Sequence, residues 1–271
     1  MLVHQFRTSV GKPPGLVITY DTIHLIGAGG NGAPMLMRLH KIHTTLRALG
    51  RSGLKVIVWD MDTVSPSNIG RQPFYPADIG RNKADVLISR LKMIDPSIHH
   101  WQARSERFTQ DSEIGNTLMV ITCVDNKEAR RAVHRAVFET ERALYWLDLG
   151  NEADSGQIVL GEAKHLRRTL RLPVVTELYP EILDESIPED DSPSCSTEEA
   201  IRKQGLFVNE IVVGHAADLI WEGLHKGTVT KPVIYVSTMR HTVNSVGIDP
   251  EFYKRKGFKP GRRNNPLIIK V

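Results

Sequence analysis

Cysteine is scarce in this chain of 271 residues. Only Cys123 and Cys195 occur, too few for a disulfide framework, and neither belongs to a C-x-x-C pair that could hold structural zinc. Long apolar runs are missing too: no stretch of about 18 apolar residues exists to span a bilayer. The first seven residues, Met1 to Arg7, lack the continuous apolar core of a secretion signal. These two absences predict a soluble, cytoplasmic protein without a membrane partner. Charge of one sign is not in excess either. The formal charge of +4 is the balance of 35 basic and 31 acidic residues, clustered only at Lys254, Arg255, Lys256, Arg262 and Arg263, which is no nucleic-acid signature. There is no Pro- or Ser-rich linker and no internal repeat, so one domain over residues 1–271 is predicted, with an elaborated C-terminal third.

What is present is an alternation of two periodicities. Ile23, His24, Leu25 and Ile26 make a short apolar run stopped by glycines. Behind it Met35, Leu39, Ile42, Leu46 and Leu49 recur at steps of three and four, the spacing of one buried helix face. Residues 55–59 are apolar and β-branched, follow the turn at Gly50 and Gly53, and end at Asp60, completing a β-α-β unit with parallel strands. A helix is predicted over 82–94 and a buried strand over 117–122 leading to Asp125, then a helix over 128–139 and a strand over 143–149. The fold class this implies is α/β: a Rossmann-like open, mostly parallel sheet with helices on both faces. Its ligands bind beyond the carboxyl ends of the strands, where Asp60 and Asp125 both fall. After a strand at 157–162, the segment 163–204 carries Pro173, Pro180, Pro188, Pro193 and the acidic run Glu189, Asp190, Asp191. It reads as an irregular, mobile crossover. A helix over 206–224 and strands over 233–236 and 242–248 complete the C-terminal part, 205–271.

The densest chemistry lies in the first 130 residues. Gly27, Gly29, Gly30 and Gly32 form a G-x-G-G-x-G turn between strand and helix. Glycines there let backbone N–H groups approach a phosphate at the positive end of the helix. NAD, FAD and ATP sites all use related turns, so the turn alone does not choose among them. Asp60 closes the second strand and can accept from ribose hydroxyls in each case; it lies about 28 residues past Gly32, later than the roughly 20 of the dinucleotide fingerprint. The region a dehydrogenase does not need is Asp62, Ser67, Asn68, Arg71, Gln72, Lys83 and the Asp125-Asn126 pair, with Arg130 one helical turn on.

These residues stand in order as D-x-D-x-V-x-x-S-N-x-x-R-Q over 60–72, D-x-G-x-x-K over 78–83, and C-x-D-N over 123–126. Over roughly residues 20–225 the chain thereby resembles the ThiF/MoeB/HesA family, the ubiquitin-activating-enzyme-like adenylyltransferases. The resemblance makes 20–150 a nucleotide-binding core. It implies ATP as co-substrate, with Asp60 on the ribose, Asn68 and Arg71 on the triphosphate, Lys83 on the phosphates and Asp125 on Mg2+. The glycines, Asp62, Ser67, Gln72 and Asn126 would line the same site, and Arg71 and Asp125 would serve catalysis. The implied reaction joins ATP to the C-terminal carboxylate of a small ubiquitin-like or sulfur-carrier protein, giving an acyl-adenylate and pyrophosphate. A downstream conjugating enzyme and a homodimer also follow from the resemblance. Within the family, the length, the extended helix and turn over 40–53 and the missing zinc cysteines look most like the ThiF-family proteins of PRTRC systems.

Cys195 lies in a P-x-C-S context similar to that of the thioester-forming cysteine of ubiquitin-like activating enzymes. A helix N-terminus would lower its thiol pKa, whereas the acidic run at 189–191 would raise it. Cys123, ending an apolar strand, reads as core. Asp125 followed by Glu128 is also a capping-box pattern, so a purely structural role for Asp125 stays open. The eleven histidines show no third ligand beside pairs such as His40 and His43, so no metal site is predicted from them. Arg7 lacks the motif that would extend it to a neighbouring subunit's nucleotide. Three other readings of the same residues remain: adenylation of a sulfur carrier or of a small-molecule or tRNA carboxylate without a covalent enzyme intermediate, a nicotinamide-dependent oxidoreductase, and a catalytically silent docking module.

Overall fold

The computed structural model describes residues 2–8, 21–164, 171–187, 205–258 and the backbone of 268–270. In chain order its strands are β1 (Leu2–Gln5), β2 (Asp21–Ile26), β3 (Leu54–Trp59), β4 (Gln102–Arg104), β5 (Thr117–Thr122), β6 (Ala143–Asn151), β7 (Ser155–Glu162), β8 (Thr228–Val229), β9 (Val233–Ser237), β10 (Thr242–Val246) and β11 (Ile268–Lys270). The helices are α1 (Gly32–Ala48), α2 (Lys83–Ile94), α3 (Lys127–Val133), α4 (Val175–Leu178), α5 (Val208–Lys226) and α6 (Pro250–Arg255). Eight strands form one sheet in the order β10-β9-β7-β6-β5-β2-β3-β4. From β4 to β6 every neighbour is parallel, and β7, β9 and β10 add an antiparallel wing. The Rossmann-like reading is thus borne out.

Successive strand residues face opposite sides of a sheet, so a strand covered by helices on both faces must be apolar throughout. Ile23 and Leu25, Val56 and Val58, and Met119 and Ile121 enter one core with α1, α2 and α5. Ile26, Ile57, Trp59 and Val120 enter the other, with Val133, Val137 and Phe138. The strand order reverses between β2 and β5, and α1 and α3 leave those strands over opposite faces. That reversal opens a crevice at the strand ends.

The helix predicted over 128–139 is a shorter α3 followed by a π turn over His134–Phe138. The predicted crossover is partly built: Leu172, Val174 and Val175 are buried and α4 sits at 175–178, while 188–204 lies outside the described residues. Pro173 precedes α4 and Pro180 follows it at the start of a short 3-10 turn, so neither proline interrupts a helix. Two features had no sequence signal. β4 is a three-residue polar edge strand, and β1 pairs antiparallel with β8 and β11 in a separate sheet.

That small sheet meets the large one through a buried polar cluster. The ring of Phe6, just past β1, stacks on Tyr145 at 4.2 Å, and His4 Nε2 lies 3.2 Å from the Tyr145 hydroxyl. Glu162 is 3% exposed, accepts from the Leu172 N–H (3.1 Å) and lies 3.8 Å from His4 Nδ1. Loss of hydration pushes the Glu162 carboxyl up to about 7, against the opposing pull of the Leu172 amide, Arg171 and Arg7. His4 is held down at about 4 by burial and by Arg7, and is therefore neutral. An acid whose folded pKa lies above its ordinary 4.5 binds more protons in the folded chain, so its stabilising contribution is full below about 4.5 and is lost as pH climbs through about 7. Between pH 5 and 8 the wild type is expected to lose on the order of 2–3 kcal/mol of stability relative to Glu162→Gln in denaturant unfolding, while the buried His4, His24 and His43, whose lowered pKa values act in the opposite direction, shift both proteins alike. An equal slope in both proteins would show that Glu162 ionises freely in the fold.

Candidate nucleotide site

The turn after β2 is closed by contact between its own backbone atoms. A Cβ at Gly32 would stand 1.8 Å from the carbonyl oxygen of Gly27, and one at Gly27, where φ is +91°, would stand 2.6 Å from that of Cys123. Gly27 N–H donates to Trp59 (2.9 Å) and Cys123 N–H to Ile26 (2.8 Å), so the turn is stitched to β3 and to the exit of β5. A Cβ at Gly30 would meet Asn209 at 2.7 Å, whereas Gly29 has nothing nearer than Gln72 Nε2 at 3.9 Å. Asn31 occupies the N-cap position of α1 yet makes no cap bond; its Oδ1 accepts from Asn151 Nδ2 (2.9 Å). The first turn of α1 is left without a side-chain acceptor, an arrangement suited to an anion.

The acidic strand end is organised by backbone. Asp60 is half-buried, accepts from Ala28 N–H (2.6 Å) and Asp62 N–H (2.8 Å), and has its pKa raised by desolvation, with Lys83 pulling the other way. Asn82 caps α2, accepting from Asp85 N–H, and donates to the carbonyls of Asp60 (2.8 Å) and Asp62 (3.1 Å). That double contact brings Lys83, the first residue of α2, to the exposed Asp62, with Nζ 2.9 Å from Oδ2. Ser67 and Asn68 are tied to Ser65: the two hydroxyls lie 2.9 Å apart, and Asn68 Oδ1 accepts from Ser65 N–H (2.9 Å). Asn68 can therefore offer a ligand only its Nδ2. Arg71 is half-buried without an ion pair among the described residues, and its Nε is buried with no hydrogen-bond partner, as is Gln72 Oε1. Burial works against the Arg71 cation, and the charge of Asp125 favours it.

Beyond β5, the structure removes the capping role from Asp125. Asn126, not Asp125, caps α3, accepting from Ala129 N–H (2.8 Å), which leaves Asp125 exposed and accepting from the Asn126 amide (3.2 Å). Among the described residues no group of three or more His, Cys, Asp and Glu could hold a metal ion. A cation here would rely on Asp125 together with oxygens of a bound nucleotide. Cys123 is buried and its thiol pKa is pushed up by loss of hydration. Cys195 lies outside the described residues.

The sequence reading missed Asn31, Asn151 and Asn209. Asn151 Nδ2 donates to both Asn31 Oδ1 (2.9 Å) and Asn209 Oδ1 (2.5 Å), joining the glycine turn, the β6–β7 hairpin and α5. It also missed Asp148, which pairs with Arg130 at 2.9 Å. Isolated asparagines carry no motif, and Asp148 sits inside an otherwise apolar strand. The orphaned Arg71 Nε, the uncapped start of α1 and the displayed Asp125 together fit a nucleotide's phosphates.

A glycine turn at the reversal of a parallel sheet, an acidic second-strand end and a half-buried arginine with no acidic partner among the described residues are the pattern of an α/β nucleotide-binding fold. The model of the ThiF family matches residues 10–248, and the chain belongs to that family. Curated relatives include ubiquitin-like modifier-activating enzyme 5 of Bombyx mori, 28% identical over 166 residues, which is 54% of this chain and 40% of that one. The Drosophila melanogaster protein of the same name is 30% identical over 158 residues, 52% of this chain and 36% of the relative. This chain spans well under half the length of the curated relatives it matches. Among solved structures, PaaA superposes with a TM-score of 0.58 at 17% identity, covering 84% of this chain and 73% of its own. E. coli MccB crystallised with MccA gives 0.55 at 14%, covering 86% and 66%. Those two likenesses concern the fold.

The glycine contacts separate two substitutions of equal size. Gly32→Ala is expected to lower stability to urea by about 3 kcal/mol, because backbone must move, and Gly29→Ala by less than about 1 kcal/mol. Equal losses would mean that the turn is not closed by the Gly27–Gly32 approach.

Proposed function

We propose that this chain uses ATP to adenylate the C-terminal carboxylate of a small ubiquitin-like protein, releasing pyrophosphate. The observation that carries the reading is Arg71, a half-buried cation with an orphaned Nε, near Asp125 and without an acidic partner among the described residues. Attack of a carboxylate on an α-phosphate brings anions together and requires fixed positive groups at the phosphate oxygens. Arg71 and the start of α1 supply them, and Lys83 adds a third as it exchanges Asp62 for phosphate. Asp60 accepts from the ribose hydroxyls and sets the nucleotide's register along the crevice. Asp125 holds Mg2+, which when bound offsets charge on the phosphate oxygens. Membership of the ThiF family and the modifier-activating relatives support adenylation as the chemistry.

In the same proposal the Cys195 thiolate attacks the acyl carbon: a C–S bond forms, the bond from that carbon to the phosphate oxygen breaks, and AMP leaves. The protein then works in the cytoplasm as a homodimer of single-domain chains, beside a ubiquitin-like partner of the PRTRC type. The test is pyrophosphate release with ATP, Mg2+ and candidate ubiquitin-like proteins. Turnover should depend on the carrier and fall about 10²–10³-fold in Arg71→Ala. Intact mass without reductant should show a thiol-sensitive adduct in the wild type and none in Cys195→Ala. Turnover without an adduct would remove the thioester step and keep adenylation. Preferential binding of NAD, or ATP binding without any carrier-dependent pyrophosphate, would overturn the proposal.

A further inference from the structure

One guanidinium holds the backbone on both sides of Asp125. Arg130 donates from Nη2 to the carbonyl of Val124 (2.9 Å) and from Nη1 to that of Asn126 (3.4 Å), the two neighbours of Asp125. The same side chain donates from Nη2 to the Leu149 carbonyl (3.2 Å) and from Nε to Asp148 Oδ1 (2.9 Å). Asp148 is fully buried in β6 and accepts from Thr122 Oγ1 (2.5 Å), which in turn accepts from Trp146 Nε1 (2.9 Å). The bonds run from the ends of β5 and β6, through Asp148 and Arg130, to the carbonyls on either side of Asp125, whose own carboxylate accepts from the Asn126 amide. Only a planar fork reaches four oxygens spread over two strand ends; a lysine offers three donors from a single point.

From this geometry we infer that Arg130, oriented by Asp148, is a positioning residue that presents the Asp125 carboxylate to a divalent cation carried by the nucleotide. The inference rests on the proposed role of Asp125 and deepens it. One carboxylate sharing a cation with phosphate oxygens binds weakly, so its hold depends on how little freedom it loses when the cation arrives.

The experiment is calorimetric binding of ATP in excess Mg2+ and in EDTA, with Mn2+ binding to the ATP complex followed by electron paramagnetic resonance. In the wild type Mg2+ should tighten ATP binding, and Asp125→Asn should remove that gain. Arg130→Lys should weaken Mn2+ binding roughly tenfold, leave ATP affinity in EDTA within about twofold, and add nothing to Asp125→Asn in the double variant. Equal losses in Mg2+ and EDTA, or additive effects in the double variant, would reduce Arg130 to a structural residue and overturn the inference. If Arg130→Lys does not fold, Asp148→Asn, which leaves Arg130 its three carbonyl bonds, must show the same metal-selective loss; a normal Mg2+ gain there overturns the inference. If Asp125→Asn itself keeps the full Mg2+ gain, the metal role of Asp125 falls and this inference with it. A gain lost in Asp125→Asn but intact in Arg130→Lys sinks the positioning role alone.

Discussion

The approach of Gly32 to the carbonyl of Gly27 is the constraint on which the rest of the site depends. It lets α1 start directly beneath β2, and the bonds from Gly27 to Trp59 and from Cys123 to Ile26 lock that start to the neighbouring strands. With those three strand ends fixed, the residues that leave them, Asp60 beyond β3 and Asp125 beyond β5, are delivered to one crevice. A side chain at either glycine would move backbone, not merely crowd a ligand, so the turn serves fold and site at once.

Charge pairing separates several structural cations from Arg71. Arg90 is matched by Asp78, Arg130 by Asp148 and Arg171 by Glu177, each with an acid within hydrogen-bonding reach. Truncating one member of such a pair leaves a buried charge alone, the costly arrangement. Arg71 already stands in that arrangement, half-buried and without an acidic partner among the described residues. In the proposed function the phosphates of the nucleotide complete it.

How much was legible follows from range. The central strands and α1 were readable because burial on both faces, or on one helical face, writes itself into consecutive residues. Gly27, Gly32, Asp60, Asn68, Arg71, Lys83 and Asp125 are singled out by motifs whose spacing is local. What could not be read depends on partners distant in sequence. That Asn126 caps α3 and frees Asp125 is a matter of one residue's register, within the error of any boundary drawn from a pattern. Asp148 meets Arg130 across a strand, β1 finds β8 and β11 from the far end of the chain, and the three asparagines meet from positions 31, 151 and 209.

That asparagine cluster adds a polar tie between the glycine turn and the first turn of α5, which already pack together where Asn209 lies against Gly30. Because Asn151 donates to both Asn31 and Asn209, the amide cannot follow one without leaving the other. Any coupling it carries is reciprocal by thermodynamic linkage: an anion that steadies the glycine turn changes the affinity of whatever grips the start of α5 by the same factor as that partner changes the affinity of the anion.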